Sequence, residues 1–156
     1  MHDKLIFMDR LCNDEHIAKC LLNLREDFLN VELPDHYASL LAWDSVRPYK
    51  FVVGVQEEKK AYICMSFRYD RSKTAANMWK PLTVAFYCFC HREMIKTDYG
   101  VLRYDFLANR ISELLLDTRS ESWVGKMEFD GMEDIVMNDT GEYVGVRIQF
   151  KNTEFL

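Results

Sequence analysis

Glycine and proline are scarce in this chain, with 6 and 3 among its 156 residues. Long low-complexity or unfolded stretches are therefore not expected. Long apolar runs are also missing: none approaches the roughly 18 residues that a membrane-crossing helix requires. Near the start, Leu5 to Met8 is bracketed by Lys4 and Asp9, which is not the pattern of a secretory leader. The expectation is a protein that stays in the cytoplasm where it is made, with no membrane partner. Positive charge is not in excess either. The 20 Lys and Arg face 25 Asp and Glu, for a net charge of −5, and a mean field of that sign does not draw in phosphate backbones. There is no P-loop, no G-x-G-x-x-G fingerprint, no G-x-S-x-G elbow and no C-x-x-C pair.

What is present is apolar and aromatic. The apolar share is 49% and the aromatic share 13%, enough to build the core of a single domain over 1–156. Asn13 or Asp14 reads as a helix N-cap with acidic Glu15 behind it. Ile17, Leu21, Leu24 and Phe28 then recur at helical spacing, which predicts a helix over 14–29. Asp35 is expected to cap a short helix from His36 to Ala42. Phe51 to Val55 and Ala61 to Tyr69 read as strands of a hairpin across the polar Gln56–Lys60 turn. Another strand is expected from Leu82 to about His91. Leu107, Ile111, Leu114 and Leu115 mark an amphipathic helix over about 101–117, with Arg103, Asp105 and Arg110 on its other faces. Strands follow near Val124–Phe129 and at Tyr143–Phe150. In the latter, Val144, Val146, Ile148 and Phe150 alternate with Tyr143, Arg147 and Gln149. Helices and strands are segregated rather than strictly alternating. The expected fold is α+β, a mostly antiparallel sheet with an N-terminal helix and a second helix packed on one face.

The stretch Val84–Gly100, VAFYCFCHREMIKTDYG, poses a choice between metal site and core strand. Strand geometry puts Cys88 and Cys90 on one face with Leu82, Val84 and Phe86, and His91 on the other. A structural zinc ion needs four convergent ligands, commonly from C-x2-C knuckles. Cys64 could supply a third ligand only if it came from the neighbouring strand. The reading is a sulfur-rich core strand with no metal, and five reduced, buried cysteines. Pro34-Asp35 with Glu57 and Lys59 superficially resembles a divalent-metal nuclease motif, in which paired acids hold the ion and a lysine steers the water. Asp35 sits at an expected helix start, however, and Glu57 and Lys59 in a solvated turn. His16 sits on the first helix near Glu15 and reads as a surface residue rather than a base; His2 and His36 have no evident partners. The segment Tyr69–Pro81 is long for a link between adjacent strands. It carries Arg71, Lys73, Met78, Trp79 and Lys80, residue types suited to gripping another molecule.

The passage from the Cys90-His91 strand end through Thr97-Asp98-Tyr99-Gly100 into a helix bearing Arg103, Asp105 and Ile111 resembles small neck proteins of tailed bacteriophages. These are the head–tail connector and the tail-completion or tail-terminator class, and the likeness runs from about Arg47 to the C-terminus. It implies a structural virion protein, assembled in the host cytoplasm, that forms a homo-oligomeric ring with other neck, portal or tail proteins. DNA would pass through the ring without specific binding, which suits an acidic lumen. It implies no enzyme activity, no cofactor, and no catalytic or metal-binding residue. The rival readings are the metal-dependent nuclease and a small host-interaction protein that uses the same loop.

Overall fold

Residues with β-branched and aromatic side chains gather into long runs that pair as one five-stranded sheet. The structure, a computed structural model, describes residues 3–51, 59–69, 82–116, 127–137 and 140–152. The strands are β1 (Val46–Arg47), β2 (Ala61–Tyr69), β3 (Leu82–His91), β4 (Met127–Val136) and β5 (Tyr143–Asn152), in spatial order β1-β2-β3-β5-β4. Only the β1–β2 pair is parallel. The helices are α1 (Asp3–Cys12), α2 (Glu15–Leu22), α3 (Tyr37–Leu41) and α4 (Arg103–Leu116). The fold is α+β with a mostly antiparallel sheet, as the segregated pattern predicts. Among the described residues no helix is long and apolar enough to cross a membrane.

The register explains the core. Ile63 of β2, Cys88 of β3 and Val146 of β5 lie in one row. Their face packs against Phe7, Leu11, Ile17, Leu21, Leu107 and Ile111 from the helices. Burying such side chains supplies about 1.5–3 kcal/mol each before chain entropy is counted. The opposite face holds a smaller cluster, with Tyr62, Cys64, Phe89 and Tyr143 at its centre and Phe51, Tyr87 and Met137 around it. Gly145 lies in that row opposite Phe89. A methyl group there would overlap the Cys88 carbonyl oxygen and come within 2.6 Å of Phe89 Cα and Cβ, so only glycine lets β5 approach β3 this closely.

Several expectations are corrected. The helix predicted over 14–29 is α2 alone, followed by a 3-10 turn at Phe28–Asn30. Asp14 does cap α2, accepting from the Ile17 amide at 3.1 Å, but Leu24 is exposed. Helix α1, with Phe7 and Leu11 fully buried, has no counterpart in the sequence reading. The short helix begins at Tyr37 with His36 as its cap residue and no side-chain cap bond, so Asp35 does not play that part. Phe51 is not in a strand. The edge partner of β2 is instead the two-residue β1, and 52–58 lie outside the described residues. The strand expected near Val124–Phe129 is β4, which runs on to Val136 through a register shift between Phe129 and Met132. Gly131 stands in that bulge at φ 128°, a conformation that L side chains rarely adopt.

Arg103 departs furthest from expectation. Far from an outer face of α4, it is fully buried. Its guanidinium donates to the carbonyls of Met94 (2.9 Å), Cys20 (2.8 Å), Asn23 (3.0 Å), Leu24 (3.1 Å) and Arg25 (2.9 Å). Four of these belong to the end of α2 and the residues after it. That explains why α2 stops: Arg103 satisfies the carbonyls that a longer helix would have used.

Candidate assembly interface

The residues singled out from the sequence are dispersed. Cys88 and Cys90 belong to the cluster under the helices and Cys64 to the opposite cluster, so the sheet separates them. His91 Nδ1 accepts from the Glu93 amide at 3.2 Å, and its ring meets Tyr143 edge-on. Among the described residues no group of three or more His, Cys, Asp or Glu side chains is gathered as a metal ion would need. All five cysteines are free and buried. Burial pushes the thiols of Cys12, Cys20 and Cys90 up to about 12, that of Cys64 to about 11, and that of Cys88 well above its ordinary value. They are therefore protonated and poor nucleophiles at neutral pH. Lys59 donates to Glu93 Oε2 at 2.7 Å and holds that carboxyl below its ordinary range. Asp35 is exposed near the start of α3, and Glu57 lies outside the described residues. Arg71, Lys73, Met78, Trp79 and Lys80 also lie outside them.

The sheet's two edges carry what the sequence reading missed. At one end, β4 is the outermost strand among the described residues. Phe129, Met132 and Val136 lie opposite Phe150, Ile148 and Val144, so they continue the helix-side face of the sheet. They remain 52%, 44% and 65% exposed. Between and beside them stand Glu128, Asp130, Glu133 and Asp134, and the strand MEFDGMEDIV has no basic residue. Glu133 and Asp130 are partly offset by Arg147 (3.6 Å) and Lys151 (3.7 Å) on β5. A hydrogen bond from Gln149 at 2.7 Å is the first cause of the lowered Asp130 carboxyl pKa. Asp134 faces Asp105 of α4, whose carboxyl is pushed up first by partial burial and then by the Asp134 charge.

At the other end, the turn into β1 exposes Trp43, and the bend after β1 exposes Tyr49. Trp43 has φ 67°, and its amide donates to Val46 O at 2.9 Å, which closes the turn that sets β1 beside β2. Asp44 accepts from Lys60 Nζ at 2.6 Å through its side chain and from Arg47 Nε at 2.8 Å through its carbonyl. The Arg47 guanidinium stacks 3.8 Å from the centre of the Phe51 ring, and Lys50 Nζ lies 5.5 Å from that of Tyr87. Lys50, Phe51, Cys64, Tyr87 and Met137 line an open concavity of about 220 Å³ on the helix-free face. Its walls are apolar and its charged member is a lysine. That chemistry suits contact with an apolar or acidic surface rather than proton transfer.

The family model described as YomW matches residues 14–152. The family is phage-associated, named for a gene product of an SPBc2-type Bacillus phage. No curated protein and no solved structure matches the chain.

Proposed function

Since this chain belongs to the YomW family, we propose that it is a phage-encoded structural protein of the virion neck, a subunit of a homo-oligomeric ring rather than an enzyme. The supporting observation is β4, a ten-residue outer strand with Phe129, Met132 and Val136 exposed along it. The four carboxylates and the bulge discourage indiscriminate strand pairing at this edge, but the exposed apolar row along it is the kind of patch that marks a contact surface. A subunit whose edge is covered on assembly removes that row from water. In this reading the ring is a head–tail connector or tail terminator, put together in the host cytoplasm and retained in the virion. It contacts portal, tail or other neck proteins, and DNA passes through it without specific binding. The net charge of −5 suits that passage.

Native mass spectrometry of the purified protein tests the reading. A closed oligomer is expected, with the double variant Phe129→Asp/Val136→Asp displaced towards monomer while its circular dichroism is unchanged. A protein that stays monomeric at the highest attainable concentration would sink the ring.

A further inference from the structure

We infer that the β4 edge of one copy docks on the β1 side of the next, so that the chain associates head to tail through opposite edges of its own sheet. The inference rests on the ring reading and adds the identity of the two mating surfaces. Strand order places β1 and β4 at the two ends of one sheet. Both ends combine exposed apolar side chains with charge, and the charges differ in sign. The β4 end presents Phe129, Met132 and Val136 with Glu128, Asp130, Glu133 and Asp134, of which Asp130 and Glu133 are partly offset by Lys151 and Arg147. The β1 end presents Trp43 and Tyr49; Arg47 stacks on Phe51 beside them, Lys50 reaches from this end over the helix-free face towards Tyr87, and the nearby acid, Asp44, is held by Lys60.

This distribution selects among possible partners. Pairing β4 with a second β4 across a two-fold axis would set its four carboxylates against four more, and like charges facing across strands are destabilising. Pairing β4 with the β1 end matches acid to base and apolar to apolar. It also leaves the pair with one unused receiving edge on one copy and one unused donor edge on the other. Such a heterologous contact propagates, and it closes into a ring when its rotation divides a full turn. The Trp43 turn fits the receiving role. A non-glycine residue in the left-handed region, its large ring left in solvent, is a costly arrangement for a site that meets nothing.

Charge reversal and mixing provide the test, read by native mass spectrometry of the full chain. Lys50→Glu spoils the receiving edge, and Glu128→Lys/Asp134→Lys spoils the donor edge; all three positions are exposed. Each variant alone is expected to lose at least ten-fold in association, with unchanged circular dichroism. An equimolar mixture is expected to regain oligomers with the two variants in alternation, because reversed edges complement one another. Raising the salt concentration should weaken the wild-type oligomer. If Lys50→Glu leaves association untouched while the β4 variant abolishes it, the receiving surface is elsewhere and the inference is overturned, although the ring reading stands. Failure of the mixture to recover overturns it too. A wild-type chain that never associates removes both the inference and the ring.

Discussion

Arg103 is a cation buried without a carboxylate, held by five backbone carbonyls and stacked 4.9 Å from the centre of the Phe28 ring. Replacing it by methionine would keep most of the volume and remove every donor. Each buried carbonyl left without a partner costs about 1–3 kcal/mol. We expect Arg103→Met to lower stability by more than about 3 kcal/mol, read as a fall in the urea midpoint. Arg103→Lys should recover only part of this, since one ammonium on a flexible stem cannot reach carbonyls on both sides as a planar fork does. Equal midpoints for lysine and arginine would mean that charge alone matters there. Nothing in the sequence reveals this role. Arg103 opens an amphipathic helix, where a charged residue normally faces water, and four of its five partners lie 78 to 83 positions earlier.

At the scale of the elements, α4 and β4 meet through two like charges, Asp105 and Asp134. The Asp105 carboxyl has a higher pKa in the fold than in the unfolded chain, from burial first and Asp134 second. The folded state thus holds this proton more tightly, and stability falls as pH rises from the unfolded value near 3.8 through the raised folded value. Asp105→Asn is expected to raise the melting temperature at pH 7 and to leave it unchanged below pH 3; a shift of equal size at both pH values would rule out titration as the cause. Strands and helices differ in how legible they are. The rows of β3 and β5 follow from side-chain alternation alone, because each has a face fully committed to the core. The break after Leu22 does not, because Leu24 and Phe28 keep the helical period while Arg103 takes the carbonyls. β1 escapes for another reason: two residues are too few to show any period, and their pairing depends on the Trp43 turn.

For the whole molecule, the distribution of sulfur gives the most direct check. All five thiols are buried, and burial raises every one of them. A thiol reagent at pH 8 should therefore modify none of them rapidly in the native protein and all five once denaturant is added. Rapid loss of even one native thiol would contradict the packing of the core around it. Cysteine burial was legible from the sequence, because Cys88 and Cys90 continue the core row of β3 and the other cysteines sit among apolar neighbours. The exposed apolar row of β4 was not: exposure of Phe129 and Val136 depends on how far β4 stands beyond the helices, and no local pattern encodes that distance. The carbonyl cradle also has a consequence in time. During synthesis the end of α2 emerges roughly 80 residues before the guanidinium that completes it, an interval of about 4–16 s at roughly 5–20 residues per second. Through that interval the N-terminal helices lack their cation, and when it arrives the sheet beneath them still lacks β5, which pairs with the central β3. The beginning of the chain thus waits on its C-terminal half for both the cap of α2 and the second neighbour of β3.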